Sequence, residues 1–552
     1  MVGSIPPPAT NQIVIMCQKI STPDVVLFTD HTEVLYLQKT LGAFKIASEL
    51  RAAGFSVQVV SHLHTFSVDE IKKIISCVVG TNTLFVGFSS FFYKQCEDPV
   101  HLDKHPHEKG GIKYKIIPPG ALIPHGSKYN SEIRSLIKTL NPACRLVLGG
   151  PDAKDASHVS VYDYVVLGYA DIVVVNLAQH LAHNTPLSKH QRSVFGPVII
   201  DGGRAEGYNF VGASMRYHDS DIVLPGETLA TEISRGCIFR CKFCAYPLNG
   251  KKKNDHIKLE QVLINEFIEN YRKFGVTRYL FSDDTFNDSR DKIEMIHRVS
   301  SALPFQLEYW AYIRLDLLAA HPDTIDLLYN SGLRACYFGI ETLDDKTASL
   351  VGKGGSRQKL ISTIELLKQK FGDTIMLNGS FIFGLPGESI ASMQETARQL
   401  VHKEIELDSW HIHPLMLRPG SWQQTLYTSE LDINYSKYGY RVVEEKNDML
   451  YWANENTTFE ECTELANDTM LQGIQSGKRK LSGMESFYMA GLGFDLKHSG
   501  NQYINQFDWH TISLTKQKRA QQYRELLFKH LGMVSTFLLV NTLNIHNKEI
   551  LQ

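Results

Sequence analysis

The chain has 552 residues, 43% apolar and 21% charged, and its 57 Lys and Arg against 59 Asp and Glu leave a net charge of −2. That length exceeds what one hydrophobic core serves and implies two or three domains, while the balanced charge gives no signal for nucleic acid or an anionic membrane as a partner. No apolar run reaches ~18 residues, so no membrane-spanning helix is expected. Nine cysteines, six of them scattered singly, fit a reducing cytoplasm rather than a disulfide framework. The opening Met-Val-Gly-Ser-Ile-Pro-Pro-Pro lacks the basic and apolar stretches of a leader, so a cytoplasmic protein is expected.

In the first 200 residues, short β-branched runs alternate with helical patterns. Strands are expected at 12–17, 24–28, 56–60, 83–87, 145–148 and 164–167, and helices at 41–54, 68–79 and 131–140. Gly54 stands where a helix C-terminal glycine belongs. This alternation predicts an α/β fold with a doubly wound parallel sheet, whose ligands sit at the C-terminal strand ends. Three such ends carry small residues: Ser89 and Ser90, Gly149 and Gly150, and Gly168. They either let a flat, bulky ligand approach the backbone or simply make tight βα turns. Between Phe91 and Lys128 lies an aperiodic insertion with Cys96, His101, His105, His107 and His125, readable as a metal-binding loop or as a solvated lid.

Residues 201–225 read as a polar linker. From Leu229 a βα cadence then runs six times, with strands at 231–234, 277–281, 306–313, 335–340, 374–383 and 409–415. Six units make a partial barrel, and chemistry on such barrels gathers at the C-terminal strand ends. The first strand feeds Arg-Gly-Cys-Ile-Phe-Arg-Cys-Lys-Phe-Cys, which sets Cys237, Cys241 and Cys244 at spacing C-x3-C-x2-C. Three thiolates on one tight loop can hold three irons of a [4Fe–4S] cluster and leave the fourth open to a small ligand. A zinc site would want a second ligand pair, and none follows at that spacing. The other strand ends carry Asp283-Asp284-Thr285, Arg314, Glu341 and Gly384-Leu385-Pro386-Gly387-Glu388. Each acid taken singly also reads as a helix N-cap, Asp283 or Asp284 for a helix starting near Ser289.

The cysteine loop, with aromatic Phe243 before its last cysteine, resembles the signature of radical S-adenosylmethionine (SAM) enzymes. With the preceding sheet, the chain resembles the cobalamin-dependent class of that family, over roughly 226–421 by motif and 12–200 by order and spacing. The resemblance implies a cobalamin-binding-like domain (1–200), a radical SAM partial (β/α)6 barrel (226–425) and a small, mainly helical C-terminal region (426–552). It implies that Cys237, Cys241 and Cys244 hold the cluster. It further implies that Phe243, Asp283, Asp284, Thr285, Arg314, Glu341 and Gly384 surround SAM, and that Ser89, Ser90, Gly149, Gly150 and Gly168 face cobalamin. The activity implied is reductive SAM cleavage to a 5′-deoxyadenosyl radical and methyl transfer to an unactivated carbon of a small-molecule or peptide substrate. The electron would come from a flavodoxin-like or other low-potential reductant. Two departures from the class are the absence of a D-x-H-x-x-G loop and the sequence Gly168-Tyr169-Ala170-Asp171 in place of Gly-x-Gly-Glu.

Helical patterns at 458–474 and 516–531, with many Tyr and Trp, read as a helical core or as a substrate wall. Cys462 is the sole cysteine of that region, so no auxiliary cluster is expected. Methylthiotransfer would call for clustered N-terminal cysteines, whereas Cys17, Cys77, Cys96 and Cys144 are dispersed. A non-catalytic cluster- or cobalamin-binding module would not need the polar groups at the barrel's strand ends.

Overall fold

The computed structural model describes residues 21–30, 37–89, 128–150, 153, 161–187, 190–192, 196–203, 207–246, 248, 250–251, 256–418, 428–446 and 449–533. The expected strand at 12–17, Ser90 and the histidine-rich insertion up to residue 127 lie outside them. The N-terminal sheet comprises β1 (Val25–Phe28), β2 (Val57–Val60), β3 (Phe85–Ser89), β4 (Arg145–Gly149), β5 (Tyr164–Leu167), β6 (His190–Arg192) and β7 (Val198–Asp201). Its order is β2-β1-β3-β4-β5-β7-β6, parallel except for β6 against β7. The first five strands stand where the apolar runs place them. The sheet then continues through β6 and β7 to Asp201, because β7 is only four residues long and its apolar signal is weak beside its polar flanks.

Strand alternation sorts β1 to opposite faces. Val25 and Leu27 pack in the cluster that contains Phe44, Ala47 and Leu50 of α1 (Leu41–Ala52), and Val26 and Phe28 join Ile71 and Ile74 of α2 (Val68–Val78). Helices α3 (Lys128–Leu140) and α4 (Asp171–His183) extend the second and first faces respectively. This is the doubly wound arrangement expected of alternating β and α runs.

The second sheet has six parallel strands in simple order: β8 (Leu229–Thr231), β9 (Arg278–Phe281), β10 (Glu308–Ile313), β11 (Leu333–Glu341), β12 (Met376–Phe383) and β13 (Ser409–Pro414). Its helices are α5 (Glu260–Phe274), α6 (Arg290–Ala302), α7 (Leu315–Ala320), α8 (Thr324–Asn330), α9 (Asp345–Val351), α10 (Arg357–Phe371) and α11 (Ile390–Val401). Gly275, at φ 67°, ends α5 in the left-handed conformation that glycine reaches without strain. The apolar cluster on α1 and α4 runs on without interruption into this barrel, through residues such as Leu229, Phe267 and Tyr279. The two sheets therefore share one core.

The C-terminal part comprises α12 (Glu430–Asn434), the hairpin β14 (Arg441–Lys446) and β15 (Met449–Ala453), α13 (Phe459–Gln475), α14 (Gly483–Gly491), α15 (Leu496–Asn501) and α16 (Trp509–His530). Ile474, Leu481, Met489, Ile504, Phe507 and Ile512 give it a small helical core of its own, as the sequence leads one to expect, and it also contains a hairpin. A half-barrel leaves the inner face of its strands uncovered, and α14 covers it. Phe487, Tyr488 and Ala490 pack on Ala230, Leu280, Trp310, Ala335 and Met376, which are inner-face residues of β8 to β12. Leu37, which leads into α1, joins the same cluster. Helix α16 returns to the N-terminal sheet, where the Tyr523 hydroxyl lies 3.1 Å from both the amide nitrogen and the hydroxyl of Ser61. Among the described residues no helix is long and apolar enough to cross a membrane.

The close seat of α14 is testable. A Cβ at Gly483 would sit 2.4 Å from the Cβ of Ala335. Gly483→Val is expected to cost about 1–3 kcal/mol of stability in denaturant unfolding, as overpacked cores do.

Candidate functional site

A cavity of about 610 Å³ opens at the C-terminal ends of β8 to β11 and reaches down the inner face of the strands. Its wall carries all three cysteines of the loop, with Phe243, Asp284, Arg314 and Glu341. One side is closed by Gln38, Thr40, Leu41 and Gly42 at the start of α1, and the floor by Met484 and Tyr488 of α14. All three regions of the chain thus contribute to one cavity.

The cysteine loop is held by its backbone. Gly236 takes φ 78°, and a Cβ there would lie 2.6 Å from the Leu248 side chain, so glycine is required. The Cys237 carbonyl accepts from the amides of Gly250 and Lys251, and the Lys242 amide donates to Val351. The Cys237 sulfur is buried, 3.2 Å from the Thr285 hydroxyl, and accepts from the Phe239 amide at 3.4 Å; burial pushes its thiol up. Cys241 Sγ lies 3.5 Å from Arg314 Nη1 and 3.5 Å from the Gly352 carbonyl. Among the described residues no three His, Cys, Asp or Glu side chains are grouped to hold a single metal ion. The thiols instead ring one end of a roomy cavity beside hydrogen-bond donors and a guanidinium, which suits an anionic multi-iron cluster with sulfur ligands.

The acids divide their work. Asp283 is wholly buried, and both oxygens are engaged: one accepts from the Ile233 amide (2.8 Å) and the other from the Ser234 hydroxyl (2.7 Å), with Lys292 at 3.9 Å. It fixes the start of the cysteine loop and also lines the cavity. Helix α6 is capped by Ser289, so neither aspartate is spent as its cap. Asp284 is half-buried on the cavity wall, and burial, then the neighbouring Asp283, push it up to about 6. Glu341 ends β11 at φ 68°, a conformation uncommon for a residue with a Cβ. Burial raises its carboxyl, and Lys353, 3.6 Å away, opposes the rise. Gly339 makes room for that carboxylate, since a Cβ there would fall 2.6 Å from Glu341 Oε1.

Arg314 is not free to take a second carboxylate with its whole fork. Its Nε and Nη2 pair with Asp316 at 2.9 and 2.6 Å, and its guanidinium stacks over Phe239 at 3.7 Å, leaving Nη1 toward Cys241. Gly384 lies apart from the cavity. A Cβ there would strike Trp452 at 2.4 Å, its carbonyl accepts from Tyr440, and its amide donates to Glu388. Sequence reasoning did not single out Lys353, Trp310, Tyr246, Tyr312 or Tyr337, which also line the cavity. Alternation along β10 and β11 marks Trp310, Tyr312 and Tyr337 as one face, and the Gly352-Lys353-Gly354-Gly355 run marks a tight loop beside the cysteines. Tyr488 belongs to the aromatic-rich C-terminal stretch that the sequence offers as a helical core or a substrate wall, and it lines the cavity after docking from far along the chain.

At the N-terminal sheet, Ser89 and Gly149 are register partners on β3 and β4. Among the described residues a Cβ on Gly149 would meet only the Val166 carbonyl, at 3.9 Å. Gly150 follows at φ 100°. Gly168 differs: a Cβ there would lie 2.5 Å from the Gly203 carbonyl, so it is small to seat the 202–203 turn.

Residues 231–400 match the radical SAM superfamily and form a radical SAM domain. An uncharacterised methyltransferase of Pyrococcus horikoshii is 23% identical over 330 residues, covering 55% of this chain and 68% of that protein. The radical SAM methyltransferase TsrM of Kitasatospora setae, solved with cobalamin and a [4Fe–4S] cluster, superimposes with TM-score 0.57 at 13% identity, over 90% of this chain and 99% of that one. OxsB, a cobalamin-dependent SAM radical enzyme solved with aqua-cobalamin and SAM, does so with TM-score 0.54 at 12% identity, over 96% and 82%. These likenesses establish the fold: a parallel-sheet domain followed by a partial radical SAM barrel.

Glu388 gives a pH test of the Gly384 turn. It is buried, accepts from the Thr342 hydroxyl at 2.6 Å and the Gly384 amide at 3.2 Å, and burial pushes it from 4.5 up to about 7. Below pH 4.5 the carboxyl is protonated in both folded and unfolded chains. Between 4.5 and about 7 the unfolded chain ionises first, so the folded state loses stability as pH rises. The stability of Glu388→Gln relative to the native chain is expected to improve by about 2–3 kcal/mol between pH 4.5 and pH 8 in denaturant titrations.

Proposed function

We propose that the protein is a cobalamin-dependent radical SAM enzyme that transfers a methyl group to an unactivated carbon. The observation that carries the reading is the cavity where Cys237, Cys241 and Cys244 meet Asp284 and Glu341, closed on one side by residues 38–42, which follow the first strand of the N-terminal sheet. When bound, a [4Fe–4S] cluster supplies the electron that cleaves SAM to a 5′-deoxyadenosyl radical. The protein's share is positioning and electrostatics. The three thiolates hold the cluster, with Thr285 and the Phe239 amide beside Cys237. Arg314, anchored by Asp316, lies against Cys241 and offsets part of the thiolate charge.

Asp284 and Glu341 are carboxyls raised by burial, and a cation brought into the cavity offsets that cost. The ammonium and sulfonium of SAM are such cations. Tyr246, Tyr312, Tyr337, Trp310 and Tyr488 give the rest of the cavity aromatic walls that keep water from the reacting carbon. Cobalamin would lie over Ser89, Gly149 and Gly150, at the C-terminal ends of β3 and β4. The likeness in domain order to TsrM and OxsB supports that placement. The reductant is a low-potential one-electron donor of the flavodoxin kind, in the cytoplasm.

The test is anaerobic reconstitution with iron and sulfide, incubation with hydroxocobalamin, desalting and metal analysis. Iron at about four per chain with near-stoichiometric cobalt is expected, with 5′-deoxyadenosine formed from SAM on reduction. Cys237→Ala, Cys241→Ala and Cys244→Ala should each abolish that product. Gly149→Phe should lower cobalt at unchanged iron. Iron without cobalt in the native chain overturns the cobalamin part, and no SAM cleavage by the iron-loaded protein overturns the whole reading.

A further inference from the structure

The inner face of β12 and β13 carries polar groups that the site above leaves unused. Register pairs Asn378 with Ser409, Ser380 with His411 and Ile382 with His413. All six share one face, opposite Leu377, Phe381 and Ile412 in the outer core. Asn378 is wholly buried with neither end of its amide hydrogen-bonded, and the buried Ser409 hydroxyl likewise has no partner. His411 and His413 are half-buried, their rings parallel to within 3° at 6.5 Å, and the His411 ring stacks 6.3 Å from Tyr337, a wall of the cysteine cavity. Burial lowers both imidazoles, so they are neutral at pH 7.

Beside them lies Arg479, only 5% exposed. Its Nε donates to the Trp410 carbonyl at 3.1 Å, and the guanidinium is near enough to His411 and Tyr337 to act on both electrostatically. It forms no ion pair among the described residues. The contrast with its neighbour is sharp, for Lys480 is paired with both Asp373 and Asp408. A buried cation without counter-charge is costly, as are buried amides and hydroxyls without partners. Three such groups, Arg479, Asn378 and Ser409, lie close to Tyr337 of the cavity wall, and one anionic ligand would satisfy all three.

We propose that this surface is the substrate's anchor and that the substrate is an organic anion. Its carboxylate or phosphate pairs with Arg479 and accepts from Asn378 Nδ2 and Ser409 Oγ, while the carbon to be modified extends past Tyr337 toward the cysteine end. The identity of the occupant as substrate rests on the radical SAM reading; the anion site itself does not.

The test is fluorine-NMR titration of the anaerobic, cluster-loaded protein with 4-fluorobenzoate and with its neutral isostere 4-fluorobenzamide, followed by displacement with inorganic phosphate. The benzoate is expected to bind at least about tenfold more tightly than the amide, and Arg479→Gln to weaken it by about 10- to 100-fold, with Arg479→Lys restoring part. Iron content and thermal unfolding serve as the fold controls. Displacement by phosphate assigns the site to phosphate-bearing substrates, and failure to displace assigns it to carboxylates. Equal binding of benzoate and benzamide, or no binding of either anion, overturns the proposal on the native chain alone, even if Arg479→Gln does not fold. Benzoate binding that survives in a folded Arg479→Gln does the same. Anion binding lost with SAM cleavage intact sinks this inference only, and SAM cleavage lost with anion binding intact sinks the radical reading only.

Discussion

The structure turns on the guanidinium of Arg235. It is buried immediately before the cysteine loop and pairs with both oxygens of Asp171, at 2.7 and 2.9 Å, and with both oxygens of Glu232. Tyr169 and Phe210 lie against it at 4.7 and 4.8 Å. Asp171 opens α4 directly after the Gly168 turn of the N-terminal sheet, so one side chain joins the ligand edge of that sheet to the residue two before Cys237. The planar fork of arginine serves two carboxylates at fixed angles, which lysine does not. The departure from Gly-x-Gly-Glu in this sequence thus has a structural role: the acid at 171 is the partner of Arg235. Losing one member would leave buried charge uncompensated, the costly way to break such a pair.

A second tie repeats the logic on the other side. Lys39, fully buried just before α1, meets both oxygens of Glu227 at 3.0 Å, two residues before β8, and lies 5.3 Å over the ring of Tyr523 in α16. N-terminal sheet, barrel and C-terminal helix therefore meet at one ion pair. These ties follow from the incomplete barrel. Six strands leave an inner face bare, and segments from both ends of the chain, Leu37–Gly42 and α14, have to be held against it. The cavity exists only when all three regions are docked, so its shape depends on fixed charges buried between them.

This explains which features could be read from the sequence. The βα cadence and the cysteine loop are local patterns, and they were legible down to the Gly275 helix end. The selection among neighbouring acids was not. Asp283 and Asp284 are indistinguishable as residue types, and only the fold, which sets both on the cavity, commits the oxygens of Asp283 to Ile233 and Ser234. Gly384 sat at an appropriate strand end, yet Trp452, nearly 70 residues on, covers it. Arg314 read as a free donor because Asp316, two residues away, gave no hint of turning back onto it. What sequence misses here is long-range docking and the private pairing of charges.

The charges that remain unpaired have a direction. At the cysteine end, Asp284 carries a raised carboxyl with no ion pair among the described residues, and the nearby Arg314 and Lys292 are already committed to Asp316 and Asp288. Across the inner face, Arg479 is the reverse case: among the described residues it forms no ion pair, while the adjacent Lys480 pairs with Asp373 and Asp408. Asp284 on the cavity wall and Arg479 on the far side of Tyr337 would orient a polar occupant before any specific contact forms. Cationic groups are drawn to the thiol end and anionic groups to β13. That polarity places the middle of a bound molecule along Tyr312 and Tyr337, the part of the cavity where neither charged end competes for the reacting carbon.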